Sequence, residues 1–125
     1  MRYDRKACFY QQTKQPNEIG DMVNYYNMIE KVDGNVFDVV TTPFSIQEEA
    51  AMGVEKTKRS TKIICRDRTA LKADIIFLFD EGSEEEGVFY GIDDEGKKDL
   101  KKVALLKCEV VQVESWRLDK RPAAV

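Results

Sequence analysis

The sequence predicts a mainly β protein: a small antiparallel β-barrel with a long connection carrying one short α-helix. Three observations predict it. Short apolar stretches, several of them alternating, recur along the chain with Gly, Pro, Asn and Asp between them. One segment, Ser45 to Met52, has both a helix start and a helix stop. The 125 residues are enough for one domain with one core. The expected division is a single barrel domain over 1–118, with the helix-bearing connection at about 44–62, and a flexible C-terminal tail over 119–125.

"RKACFYQQT" (Arg5 to Thr13) reads as a first strand, and Pro16-Asn17 and Gly20-Asp21 then break the chain. "MVNYYNMIEKV" follows. Asp33-Gly34 is a hairpin signal, because both residues accept positive φ, so "NVFDVVTTPF" should be the returning strand, with Pro43 ending its ladder. Ser45 and Glu48 have capping-box spacing, and Gly53 suits a helix end, which limits the helix to about Ile46 to Met52. A helix this short needs something to pack on.

"STKIICRDR" alternates, with Ile63 and Cys65 on one face and Lys62, Ile64 and Arg66 on the other. "ADIIFLF" is apolar on both faces, which means a central strand or one whose second face a partner covers. "GVFYGI" reads as a short strand. In "KVALLKCEVVQVES", Ala104, Leu106, Cys108 and Val110 share a face; the apolar register then shifts to Val111 and Val113, which suggests a bulge or barrel corner near Val110. The expected buried set includes Phe9, Ile63, Cys65, Phe77, Leu106 and Cys108.

Composition narrows the function. Hydrophobic content of 42% and charged content of 34% suit a globular chain. No apolar run approaches a membrane span, and "MRYDRKACFY" lacks the apolar core of a secretory leader, so neither membrane nor export is expected. The chain has no histidine, which removes the commonest general base and the histidine-containing zinc sites. Its three cysteines, Cys8, Cys65 and Cys108, sit in apolar strand segments and read as reduced core thiols. "IDDEGKKDL" clusters acids, but the twelfth position from Asp93 is Ala104, so EF-hand spacing fails and a solvated turn is expected. "DEGSEEEG" reads as a mobile surface loop. No catalytic, metal or cofactor-binding set emerges, and the chain is not expected to be an enzyme.

Charge is segregated along the chain, whose net charge is −3. Lys56, Lys58, Arg59, Lys62, Arg66, Arg68 and Lys72 form a basic run. Asp80, Glu81, Glu84, Glu85, Glu86, Asp93, Asp94 and Glu95 form an acidic one. The two are either solvated loops of opposite sign or complementary surfaces of neighbouring copies, a heterologous contact that closes into a ring. The candidate ring or docking contacts are Lys56, Lys58, Arg59, Lys62, Arg66, Arg68, Glu84, Glu85 and Glu86.

In order and spacing the chain resembles the head–tail adaptor or joining proteins of tailed bacteriophages, the stopper or head-completion proteins. "RKACFY" resembles that family's opening strand and "NVFDVV" the strand before its helical connection. "SIQEEAAMG" resembles the connection itself. "TKIICRDRTALKADIIFLF" resembles the next two strands with their short link, and "FYGIDD" with "KKVALLKCEVV" the final hairpin. The likeness runs from about Arg2 to Val113; "ADII" stands where an Asp-Arg pair is common, and "DEGSEEEGV" is longer than usual. It implies a barrel acting in a ring between the portal–adaptor assembly and the tail, monomeric when isolated or assembling only on its platform. The protein would work in the virion after assembly in the host cytoplasm. The basic run would face acidic protein surfaces or DNA in the channel. Two other readings stay open: a tail-terminator or tail-completion ring, and a barrel for single-stranded nucleic acid that stacks bases on Tyr25, Tyr26, Phe89 and Tyr90.

Overall fold

The computed structural model describes residues 3–32, 34–42 and 60–124. Its strands are β1 (Arg5–Pro16), β2 (Met22–Met28), β3 (Phe37–Thr42), β4 (Ser60–Cys65), β5 (Ile75–Phe79), β6 (Gly87–Asp99) and β7 (Ala104–Val110). All pairings between them are antiparallel, and six strands close in the order β1-β3-β4-β7-β6-β5, with β5 returning to β1. The protein is therefore a mainly β closed barrel with one extra strand. The expected helix at Ile46 to Met52 lies outside the described residues; those residues contain only two 3-10 turns, Arg68–Lys72 and Ser115–Arg117.

β1 organises the sheet because it is longer than the barrel. Residues Arg5 to Ala7 pair with β3 on one edge, and Tyr10 to Pro16 pair with β2 on that same edge. The opposite edge of Ala7 to Tyr10 pairs with β5. Beyond the barrel, β1 and β2 continue as a two-stranded ribbon. Its turn is set by Asn17, whose side-chain Oδ1 accepts from the amides of Ile19 and Asp21, and by Gly20 at φ 89°, a conformation that favours glycine.

This arrangement corrects the expected hairpin at Asp33-Gly34. A local turn does form, with Lys31 and Gly34 exchanging backbone hydrogen bonds of 3.0 and 3.2 Å. The strands around it do not pair with each other. Both find partners on the long edge of β1, which offers more ladder bonds than a short mutual hairpin. Asp33 itself is outside the described residues.

Alternation sorts side chains between two apolar clusters. Ala7, Phe9, Phe37, Val39, Ile63, Cys65, Ile76, Leu78, Ala104, Leu106 and Cys108 fill the barrel, with Ala70 and Ala73 from the Arg68–Lys72 turn and its exit. Phe9 meets Phe37 edge to face, centroids 4.9 Å apart, a geometry worth about 0.5–1.5 kcal/mol beyond the area buried. All six residues expected in the core are buried, but Phe77 belongs to a second cluster outside the barrel.

The register shift expected near Val110 lies elsewhere. β7 pairs regularly from Ala104 to Val110, and the irregularity is in β6, between Ile92 and Lys97. The stretch Asp93 to Gly96, expected as a solvated turn, is a wide bulge folded around Lys107 of β7. The Lys107 ammonium lies 3.7 Å from Asp93 Oδ2, and a Cβ on Gly96 would stand 2.5 Å from Lys107 Cβ. Glycine there lets the backbone close over the lysine stem. The change of apolar register after Val110 has a different cause: the chain leaves the sheet, and Val113 turns onto the outer cluster.

Two stability predictions follow from this core. Leu106→Ala, at a site with no exposure, should lower unfolding free energy by about 2–5 kcal/mol, read from the urea midpoint. Asp67 caps the Arg68–Lys72 turn, and its side chain accepts from the Thr69 amide at 2.9 Å. Hydrogen bonds from the Thr69 side chain and amide hold its carboxyl below the usual carboxylate range. A depressed acid stabilises above its unfolded pKa and loses that contribution as pH falls through the folded one. Asp67→Ala should therefore cost about 1 kcal/mol at neutral pH, and the difference from wild type should shrink in acid.

Candidate docking surfaces

β5 is apolar on both faces because both faces are buried. Ile76 and Leu78 point into the barrel; Ile75, Phe77 and Phe79 point out and join Cys8, Tyr10 and Met28. The cover comes from this chain's own C-terminal segment. Leu118 bridges Tyr26 on the outer edge of β2, Asp119 donates its amide to the Tyr26 carbonyl, and Asp119 Oδ1 accepts from the Met28 amide at 2.8 Å. The Tyr10 hydroxyl donates to the Lys120 carbonyl at 2.8 Å, Lys120 pairs with Glu30, and the Ala124 amide donates to the Glu84 carbonyl at 2.9 Å. Leu118 and residues 119–124 of the expected flexible tail 119–125 thus run as a strap along the outward face of β1. The apolar surface beneath is the reason they dock.

The strap does not fill the space beside it. A groove of about 550 Å³ remains between strap and sheet, walled by Phe77, Phe89, Val113 and Leu118. Glu85 and Glu86 form one lip, from the β5–β6 loop, and Arg121 stands on the strap side. That loop, expected to be exposed, is shaped by Ser83, whose hydroxyl accepts from the amides of Glu85 and Glu86 at 3.3 and 2.8 Å.

The three cysteines are free and buried. Burial pushes the Cys8 and Cys65 thiols up to about 11 and raises Cys108 further, so all three stay protonated in neutral solution. Cys8 differs in position: it lies outside the barrel, and the Ala123 backbone of the strap is hydrogen-bonded to it.

The folded chain redistributes the charge runs. Lys56, Lys58 and Arg59 lie outside the described residues. Lys62 is half-buried on β4, directly across from Lys107. Arg66 is exposed and stacks 4.0 Å from the Tyr3 ring centroid; Arg68 pairs with Asp99. Each run thus has a member paired within the chain to a charge from outside the other run: Arg68 with Asp99, and Asp93 with Lys107. Strand register places Arg66 and Arg68 at the ribbon end of the barrel. It places Glu84, Glu85 and Glu86 at the opposite end, where Thr42 and Ser60 also lie.

Sequence reasoning did not single out the ribbon tip. Ile19 is 81% exposed and Met22 64%, and Trp116, 55% exposed, packs edge-on to Tyr25 with centroids 5.9 Å apart. The signal was available in the lone tryptophan beside Arg117, whose guanidinium lies 5.0 Å from the indole centroid. The four aromatic residues considered for base stacking do not form one surface. Tyr90 packs on the barrel interior, Phe89 and Tyr26 on the outer cluster, and Tyr25 on Trp116. Among the described residues no group of His, Cys, Asp and Glu is placed to hold a metal ion.

No family model and no curated protein matches the chain. The fold is similar to the solution structure of protein SF1141 from Shigella flexneri 2a. The TM-score is 0.58 at 13% identity, over 91% of this chain and 100% of that one. At that identity the likeness is one of fold.

The strap can be tested through Cys8. Truncation after Leu118 should make Cys8 react rapidly with a maleimide while Cys65 and Cys108 stay protected, as read by mass spectrometry of labelled peptides. Unchanged protection of Cys8 would show that the strap does not shield it.

Proposed function

We propose that the chain is a non-enzymatic structural protein of tailed-phage particles, joining or closing the head to the tail as one copy in a ring. The ordered likeness of its segments to the head–tail joining proteins supports this reading, and so does a barrel of the expected class. The observation that carries it is the ribbon. β1 and β2 project past the barrel and present Ile19 and Met22 at the tip, beside the Tyr25–Trp116 pair. Apolar side chains gathered on a projecting element mark a surface that another protein covers. A ring placed between two other assemblies requires such reaching elements. Its partners in this reading are portal or adaptor proteins on one side and tail proteins on the other.

The test is genetic. A phage lacking the gene should accumulate DNA-filled heads without tails in electron micrographs, and supplying the wild-type chain should restore infectious particles. The double variant Ile19→Asp, Met22→Asp should fold normally, since both side chains are exposed, yet fail to restore titre. Normal tailed particles without the gene would end this reading.

A further inference from the structure

The ribbon has two edges, and only one is guarded. Backbone groups alternate between the two edges of a strand. In β2 the outward set is Met22, Asn24, Tyr26 and Met28, as two bonds to the strap show: the Tyr26 carbonyl accepts from the Asp119 amide, and the Met28 amide donates to Asp119 Oδ1. The strap therefore covers the barrel half of this edge and stops at Tyr26. Among the described residues, nothing pairs with the outward N–H and C=O groups of Met22 and Asn24. On β1 the matching edge carries Lys14 and Pro16, which keep strands from adding. β2 reads MVNYYNM, with no charge, proline or glycine. A ribbon of two strands is marginal in water, and further strands make it self-supporting.

The open stretch is complementary to itself. Antiparallel pairing of two β2 strands about Val23 sets Met22 of each copy opposite Asn24 of the other, and such a pair exchanges both backbone bonds. Opposite Tyr26, where the strap begins, stands Gly20 of the other copy. It belongs to the ribbon turn, so the second chain bends away there and sends no side chain into the strap. Asp21 of one copy falls opposite Tyr25 of the other, beside Trp116 and Arg117. Arg117 has capacity to receive it. Its Nε is buried without a hydrogen-bond partner among the described residues, and its guanidinium is 3.9 Å from Glu114 Oε1, beyond hydrogen-bond reach.

We propose that the free chain forms a two-fold dimer in which the outer edges of two β2 strands pair through Met22 and Asn24, with Asp21 of each copy against Arg117 of the other. The two ribbons become one four-stranded sheet. Ile19, Tyr25 and Trp116, which wall one hollow in each copy, then lie beside their counterparts on one face of that sheet. A two-fold contact closes on itself and does not propagate into a ring. The dimer thus belongs to the chain before it joins a particle and keeps the ribbon covered until then. It does not require the head–tail reading.

Sedimentation equilibrium of the full chain at low ionic strength, up to about 1 mM, measures association. Wild type should dimerise. Asn24→Pro removes an outward amide that has no bond within the chain, and Met22→Lys puts a charge on the edge. Each should weaken dimerisation by about tenfold or more. Equal urea midpoints confirm folding; where Asn24→Pro lowers the midpoint, Met22→Lys decides, because its side chain is exposed. Asp21→Lys and Arg117→Glu should each weaken the dimer, and a one-to-one mixture of the two should recover it, because both contacts then join opposite charges. Val23 faces itself across the two-fold, so Val23→Cys should oxidise to an intermolecular disulfide, whereas Lys14→Cys, on the guarded edge, should not. A monomeric wild type, a dimer indifferent to the edge variants, a mixture that fails to recover, or cross-linking through Lys14→Cys in place of Val23→Cys would overturn the proposal. None of these results touches the head–tail reading, which the gene deletion judges separately.

Discussion

Four residue pairs between β1 and β5, from Ala7 with Leu78 to Tyr10 with Ile75, turn an open sheet into a barrel. Much else depends on this seam. It puts Phe9 and Ile76 inside together and Cys8 and Phe77 outside together, which creates two apolar clusters from one ladder. The seam is locked at its end by Asp74, whose amide donates to the Tyr10 carbonyl while its carboxylate accepts from the Gln12 amide at 2.7 Å. Past that point β1 has no barrel partner on this edge, and the strand is free to leave as the ribbon. Lys14 and Pro16 occupy the stretch that leaves, and both discourage another strand from adding there.

Closure also explains why the molecule wears a strap. A closed barrel hides one face of each strand and ordinarily leaves the other to solvent. Here the second face of β1 and β5 is too apolar for that, and the C-terminal segment is drawn over it. The strap is held by polar bonds at its ends and in its middle, with small side chains between. That economy of bulk leaves the Phe77–Phe89 trough open. The Lys107 site follows the same logic at smaller scale, since β6 widens into a bulge to cover a lysine stem that would otherwise lie on the outer wall.

Much of the fold was legible wherever one face is wet and one is dry. Ile63 and Cys65, and Ala104, Leu106 and Cys108, alternate cleanly and fall inside the barrel. The doubly apolar "IIFLF" was correctly legible as a covered strand, but composition does not say whose chain supplies the cover. Strand pairing was less legible. Asp33-Gly34 states a turn, and a turn is local, whereas the choice of partner was decided by the length of β1. The Asp93 to Gly96 bulge was hidden for a similar reason, because its cause is a lysine on the adjacent strand. Of the candidate site residues, the sequence identified the charges but not their placement. Register sends Arg66 and Arg68 to one end and Glu84 to Glu86 to the other, a separation that linear spacing does not encode.

The two dry faces of β5 matter before the native state as well as in it. Ile75 to Phe79 contains no charge, proline or glycine. Its partner across the seam lies more than 60 residues away in the chain, at Ala7 to Tyr10. Long-range pairings of this kind form late, because the loop must close before the contacts stabilise it. During that interval the segment is an uncharged β-forming run whose edge toward β1 is open, the pattern that seeds cross-β association. Charges stand on both sides of it: Lys72 and Asp74 before, Asp80 and Glu81 after. They act as gatekeepers, raising the repulsion between nascent chains. Asp74 thus has two successive roles, guarding the run from other molecules until closure and then fastening the seam that buries it.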